Sequence, residues 1–273
     1  MIHIRPCVGL EELEACVQLE VATWGYDHRD ILPRKAFLVI QKTGGQIFGA
    51  FDTALDASSD ADRMIGFAMA MAGIRATDTT AAVPYLHSHM LAVLPAYRNQ
   101  GIGQQLKRAQ RDEALARGIT RMEWTFDPLE IKNAHLNLNR LGAVVRRYHA
   151  DFYGASSSQL QGGLPTDRLV AEWQMNSGRV QRALDGAPQT EFEIEEQILV
   201  SSAVDGWKQS DAERHRALEL QQCNRERFQS AFRRGLLVLG FACDSEGNGR
   251  FLLGSDTSPH SRHSAATLFA RNP

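Results

Sequence analysis

"LAVLPAYRNQGIGQQLKRAQRDEALARG", residues 91–118, runs from an apolar strand through a polar turn into a long helix. Gly101 and Gly103 stand where that helix begins, and Arg98 lies just before them. Glycine inside a helix costs about 1 kcal/mol relative to alanine, so two of them in the first turn need a reason. A helix N-terminus carries free N–H groups and a partial positive charge, and it attracts anions. Glycine lets a phosphate approach such a backbone closely, because no Cβ intervenes. With the permanent cation of Arg98 beside it, the turn reads as a pyrophosphate cradle. Tight packing is the competing reading of the same glycines. A nucleoside-triphosphate loop is excluded, since no Gly-Lys-Ser/Thr follows. The dinucleotide fingerprint is incomplete, because Leu106 stands where glycine or alanine is needed.

Outward from this stretch, strands and helices alternate. Ile2 to Val8 predicts a first strand, and "LEELEACVQLEVATWG" places Leu10, Leu13, Val17 and Val21 near helical spacing. "GQIFGAFD" and "MIGFAMAMAGI" read as strands separated by the polar loop "TALDASSDADR". "LHSHMLAVLP" is a strand closed by Pro95, and Gly118 ends the helix that follows. "RMEWTF" predicts a strand, "LEIKNAHLNLNRLG" a helix, and "AVVRRYHADFYG" and "TDRLVAEWQM" two more strands. Residues 176–190 turn polar and read as a linker. Beyond it, "FEIEEQILV", "LLVLGFACD" and "RFLLG" predict strands, and "DAERHRALELQQCNRERFQSAFRRG" a long helix. That helix brings Ala217, Leu220, Phe228, Ala231 and Phe232 near one apolar face, which must bury against the rest of the chain or a second subunit. A homodimer is therefore open. The division expected is 1–175, a small α/β unit at 190–254, and a disordered tail at 255–273.

Composition narrows the function classes. The 273 residues are 43% hydrophobic and 23% charged, with a formal net charge of -2, so neither nucleic acid nor a membrane surface is an expected partner. No apolar run is long enough to span a bilayer, and the N-terminus lacks the apolar core of a signal peptide. Cys7, Cys16, Cys223 and Cys243 form no C-x-x-C pair and read as reduced thiols. A cytoplasmic protein without a metal is expected.

The pattern V-x-P-x-Y-R followed by R-x-x-G-x-G opening a helix resembles motif A of the GNAT superfamily of acyl-CoA-dependent N-acetyltransferases. The order of elements over about residues 1–175 fits as well. "SHMLAVLPAYRNQGIG", "WTFDPL", "NLNRLGA" and "GLPTDRLVAEW" together resemble a family of predicted acetyltransferases that carry a C-terminal extension. The resemblance implies an α/β GNAT fold, a mixed central sheet with flanking helices, plus the small C-terminal α/β unit. It implies acetyl-CoA or another acyl-CoA as co-substrate and an amine on a small molecule or peptide as acceptor. The turn Arg98, Asn99, Gln100 and the amides around Gly101, Ile102, Gly103 and Gln104 would hold the CoA pyrophosphate. Leu91, Ala92 and Val93 would offer backbone groups to the pantetheine. The strands over 87–93 and 121–126 would splay apart, with the acyl thioester between them.

Transfer to an amine needs a proton acceptor, donors for the oxyanion and an acid for the thiolate. The superfamily's base position, counted back from "LAV", is His87. His87 and His89 are two apart, so alternation puts both on one strand face. An imidazole with a pKa of about 6.5 suits such a base. Glu123 on the neighbouring strand is another candidate base. The superfamily's Asn and Tyr positions on the next helix are held here by Ile131 and Leu138, so the usual thiolate acid is missing. Asn133 or Asn137 could still contact CoA, and Tyr148 or Tyr153 could replace the acid. That departure keeps two alternatives open: a non-catalytic acyl-CoA-binding module, and a GNAT-fold acyl-CoA decarboxylase that uses the histidines. The acceptor is set by loops such as residues 23–36.

Overall fold

The computed structural model describes residues 1–75, 82–187 and 192–255. Ten strands join one mixed sheet: β1 (Ile2–Pro6), β2 (Gln46–Asp52), β3 (Met64–Arg75), β4 (Val83–Val93), β5 (Arg121–Phe126), β6 (Val144–His149), β7 (Arg168–Gln174), β8 (Glu196–Val200), β9 (Leu237–Cys243) and β10 (Gly249–Gly254). Their spatial order is β1-β2-β3-β4-β5-β7-β6-β9-β10-β8. Every neighbouring pair is antiparallel except β4 and β5, which run parallel. The class expected from the sequence, a mixed sheet with flanking helices, is the one observed.

Helices cover the sheet because it is apolar on both sides. Phe67, Met69, Met90 and Ala92 pack with Leu13 and Cys16 of α1 (Gly9–Trp24) and Phe37 of α2 (Arg34–Lys42). Phe48, Ala50, Ile65 and Ala68 pack instead with Ile102 and Leu106 of α3 (Ile102–Ala116). The largest cluster runs from β5 through β10 and contains Trp124, Trp173, Phe228 and Phe251.

Several elements differ from the sequence reading. The polar stretch after Asn176 contains a helix, α5 (Gly178–Leu184). Ser177 caps it by accepting from the Val180 amide, and Val180, Ala183 and Leu184 turn inward at helical spacing. The helix expected over 129–142 divides into α4 (Ile131–His135) and a π-helical turn over Leu136–Arg140. Such turns are frequent at functional sites. In the C-terminal part, α6 (Val204–Gln209) precedes α7 (Arg214–Arg233), which buries Ala217, Gln221, Asn224, Phe228 and Ala231. Phe228 stacks on Tyr148 of β6 at 5.6 Å, and β9 pairs with β6 at Val145 and Val238. The C-terminal strands thus extend the sheet of the first 175 residues. The tail expected from residue 255 lies, beyond Ser255, outside the described residues.

Candidate active site

The turn before α3 is shaped by two left-handed residues, Asn99 at φ 62° and Gly101 at φ 78°. Gly101 answers to that backbone requirement. Gly103 does not: a Cβ there would meet Leu91 at 3.4 Å and Leu136 at 3.9 Å, which is ordinary contact. The protein's own packing therefore does not require Gly103 to lack a side chain. The Gln105 amide closes the first helical turn onto the Gly101 carbonyl at 3.0 Å, so the amides of Ile102, Gly103 and Gln104 have no acceptor within the helix. Arg98 donates to the Val93 carbonyl at 3.0 Å and Gln100 to the Ala96 carbonyl at 3.1 Å, which stiffens the turn. Gln104 donates to the Arg140 carbonyl at 3.2 Å and so ties α3 to the π-helical turn.

Beside this turn the sheet opens. β4 and β5 pair only at Leu86–Met122 and His87–Glu123, although both strands continue. A cavity of about 420 Å³ starts at this parting and is lined by residues from both faces of the sheet. Ser88 and Lys107 line it on the α3 side, and Trp24, Tyr26 and Tyr153 line it elsewhere. Leu91, Asn133 and Asn137 also reach it.

A β-bulge lies at the same place. Met69 pairs with Met90 but Ala70 pairs with Ser88, which leaves His89 as the extra residue. Ser88 consequently meets Gln110 of α3, while Met90 packs in the cluster of α1 and α2. The simple alternation used to give the histidines one face is therefore broken here. Their rings are nonetheless neighbours, 6.1 Å apart. His89 lines the cavity and stands 6.3 Å from the Tyr153 ring. Tyr153 and Thr125 share a hydrogen bond of 2.9 Å between their hydroxyls.

The ionisable groups differ sharply in their surroundings. Burial, and then repulsion by a charged His89, pull His87 down to about 4, against a smaller opposing pull from Glu123. Burial lowers His89 as well. Burial works to raise the Glu123 carboxyl, but Arg147, Arg121 and Arg75 outweigh it and hold the group below its usual value. Those three guanidiniums lie 2.6, 2.7 and 3.0 Å from its oxygens. Tyr148 donates to Asp167, and burial followed by that bond raises its hydroxyl well above the usual range.

The GNAT acetyltransferase family model matches residues 13–141, which contain the turn, the parted strands and the π-helical turn. Residues 13–141 form a GNAT acetyltransferase domain. The fold is also that of NAA60 from Arabidopsis thaliana in complex with acetyl-CoA, with a TM-score of 0.51 at 18% identity over 65% of this chain and 100% of that one. The ribosomal-protein-S18-alanine N-acetyltransferase from Escherichia coli gives a TM-score of 0.47 at 17% identity, over 65% of this chain and 96% of that one. No curated protein matches the sequence.

In this GNAT domain Leu138 is fully buried in the large core cluster, and Ile131 packs against the same cluster. Neither carries an acidic group. Asn137 is 4% exposed and accepts from the Trp124 indole at 3.1 Å, and Asn133 is exposed at the cavity. Of the expected pantetheine stretch, Leu91 faces the cavity, Ala92 is buried toward α1 and α2, and the Val93 carbonyl accepts from Arg98. Among the described residues no group of three or more His, Cys, Asp or Glu is arranged to hold a metal ion. No helix among them is long and apolar enough to cross a membrane.

Sequence reasoning missed Lys107 and Lys208. Lys107 sits on the buried stripe of α3 with Ile102, Leu106, Gln110 and Ala114. A lysine on an otherwise inward-facing helical stripe was the available signal. Lys208 of α6 is 1% exposed and reaches Asp127 at 2.8 Å and Glu130 at 3.2 Å, both of which line the cavity. Arg225 of α7 grips the buried Asp167 with two bonds of 2.8 Å, and Gln221 donates to the Pro165 carbonyl at 2.9 Å. The cavity wall over residues 153–168 is thereby tied to the C-terminal helices. The loop over residues 25–33 is joined to the same wall, since Ser157 donates to Asp30 at 2.6 Å and accepts from the Asp27 amide at 2.9 Å.

Proposed function

We propose that this GNAT acetyltransferase moves an acetyl or related acyl group from CoA to an amine of a small molecule or peptide. The observation that carries this reading is the alignment of two features: the open Gly103 turn and the cavity where β4 and β5 part. A pyrophosphate on the amides of Gly101 to Gln104, with Arg98 and the Asn99–Gln100 turn beside it, directs a pantetheine along Leu91 to Val93 into that parting. The acceptor approaches between the Trp24–Tyr26 stack, whose rings are 5.7 Å apart, and Tyr153. His89 takes the amine's excess proton, and His87 supports it from behind. Glu123 is less suited to that task, because its oxygens already accept from arginines. Tyr153 orients the acyl oxygen or the amine through its hydroxyl. Residues 1–175 carry the transfer, and residues 190–254 brace the acceptor wall.

The test is binding followed by turnover. Gly103→Val should weaken acetyl-CoA binding by about 2 kcal/mol, roughly thirtyfold, if it displaces one or two charge-assisted hydrogen bonds. The fold should survive, since the added Cβ makes only ordinary contacts. Calorimetry reads the affinity, and thioester cleavage against a library of amines reads the transfer. Unchanged affinity in a folded variant would remove CoA from this turn.

A further inference from the structure

We propose that Lys107 is the proton donor to the sulfur of the departing CoA thiolate, filling the place of the acid that residues 131–140 do not supply. The inference rests on the acyl-transfer reading above. The Lys107 ammonium bridges the parted strands: it donates to Ser88 Oγ of β4 at 2.6 Å and lies 3.8 Å over the Trp124 ring of β5. The residue is only 3% exposed, yet it lines the cavity. An ammonium so buried is costly unless a carboxylate accompanies it. Among the described residues no carboxylate lies within ion-pair distance, and burial alone accounts for its lowered pKa of about 7. A methionine of similar length would fill the space without that cost, so packing does not explain the amine.

The chemistry fits a thiolate acid. An ordinary lysine, near pKa 10.4, is a weaker acid than a thiol of about 8.5 and would not give its proton up. At about 7, Lys107 passes a proton downhill to a thiolate. In the step, the acceptor's lone pair forms the carbon–nitrogen bond as the carbon–sulfur bond breaks and its electron pair goes to sulfur. Lys107 supplies the proton that sulfur takes. The amine's excess proton goes to His89, and exchange with water restores both side chains.

The other charged groups around the cavity leave this assignment in place. His87 and His89 of β4 are held neutral by burial at pH 7. Asp127 and Glu130 are held by Lys208, and Asp30 accepts from Ser157. Arg168 lies over the Tyr153 ring.

The test uses the full chain with CoA and with desulfo-CoA, which lacks the sulfur. The Lys107 ammonium, followed by nuclear magnetic resonance, should titrate near pH 7 in the free protein. CoA and desulfo-CoA should both leave that value close to 7, because the thiol is uncharged where Lys107 titrates; a rise with CoA alone would mean an ammonium–thiolate pair and overturn the proposal. The bound thiol, followed by thiolate absorbance, should stay protonated through pH 7, because Lys107 gives up its own proton first. Lys107→Met should lower kcat on the order of a hundredfold, remove the alkaline fall in rate, and keep CoA affinity. Its melting temperature should rise, more at pH 7 than at pH 10, because unfolding lets the parent's amine take up a proton between its lowered and ordinary values. A bound thiol that ionises at lower pH than Lys107, or a variant that keeps the parent's kcat and alkaline fall, overturns the proposal alone. Acetylation of Lys107 by acetyl-CoA without acceptor also overturns it, by making the amine a nucleophile. Failure of CoA to bind overturns the transfer reading as well.

Discussion

Lys208→Met should destabilise the protein by about 3 kcal/mol at pH 7, the usual cost of removing one partner from a buried ion pair. Lys208 is 1% exposed, and its loss leaves Asp127 and Glu130 facing each other beneath α6. Burial pulls the Lys208 amine down, yet the two carboxylates outweigh it and raise it, whereas Glu130 is raised by burial in spite of Lys208. The stabilising share of a raised lysine is complete below its unfolded value, near 10.4, and is lost only as pH rises through the folded one. At neutral pH the pair is therefore fully formed. In the variant, a stranded carboxylate can escape by binding a proton, which is easier at low pH. The deficit should shrink as pH falls toward 5, and adding Asp127→Asn and Glu130→Gln should recover much of it. Denaturant midpoints at pH 5 and pH 7 measure this. A single variant within about 0.5 kcal/mol of the parent, the range of ordinary surface substitutions, would mean that the amine is not structural.

The second large effect is kinetic. His89→Ala should lower kcat/KM on the order of a hundredfold, or about 2.7 kcal/mol of transition-state stabilisation, as for other general bases. CoA affinity should hardly change, since the turn at Gly101 to Gln104 is untouched. The neutral imidazole is the active form, and burial lowers its pKa. The rate in the parent should therefore rise with pH below 6.5 and be flat, for this group, above it. That rising limb should vanish in the variant. His87→Ala should give a smaller loss, because His87 does not line the cavity. Parental rate and pH profile in both variants would return proton removal to water or to the acceptor itself.

Much of this was legible in the residues themselves. The glycines of the turn, the strand before it and the helix after it are local features, and local patterns survive in sequence. The fold class followed from their order. The bulge at His89 was not legible, because it is a mismatch between two strands, and "HSHML" alternates as cleanly as an unbulged strand would. α5 was hidden by a polar composition in which only Val180, Ala183 and Leu184 face inward. Lys107 was hidden for a different reason: a lysine on a helix is normally solvated, and only the neighbouring strands reveal that this one is covered. Ion pairs such as Lys208 with Asp127, 81 residues apart, depend on tertiary folding and leave no spacing to read.

The ties from α6 and α7 also set an order in time. Translation delivers the N-terminal part first, and the turn at residues 98–104 is held by bonds to Val93, Ala96 and the first turn of α3, with one later tie from Gln104 to Arg140. The wall over residues 153–168 emerges later but stays without its anchors until Lys208 and Arg225 have been made. From Gln104 to Arg225, at about 5–20 residues per second, synthesis takes roughly ten seconds. A nascent chain thus forms the glycine turn well before it can close the opposite wall, and the ribosome's own pace decides when the cavity is finished.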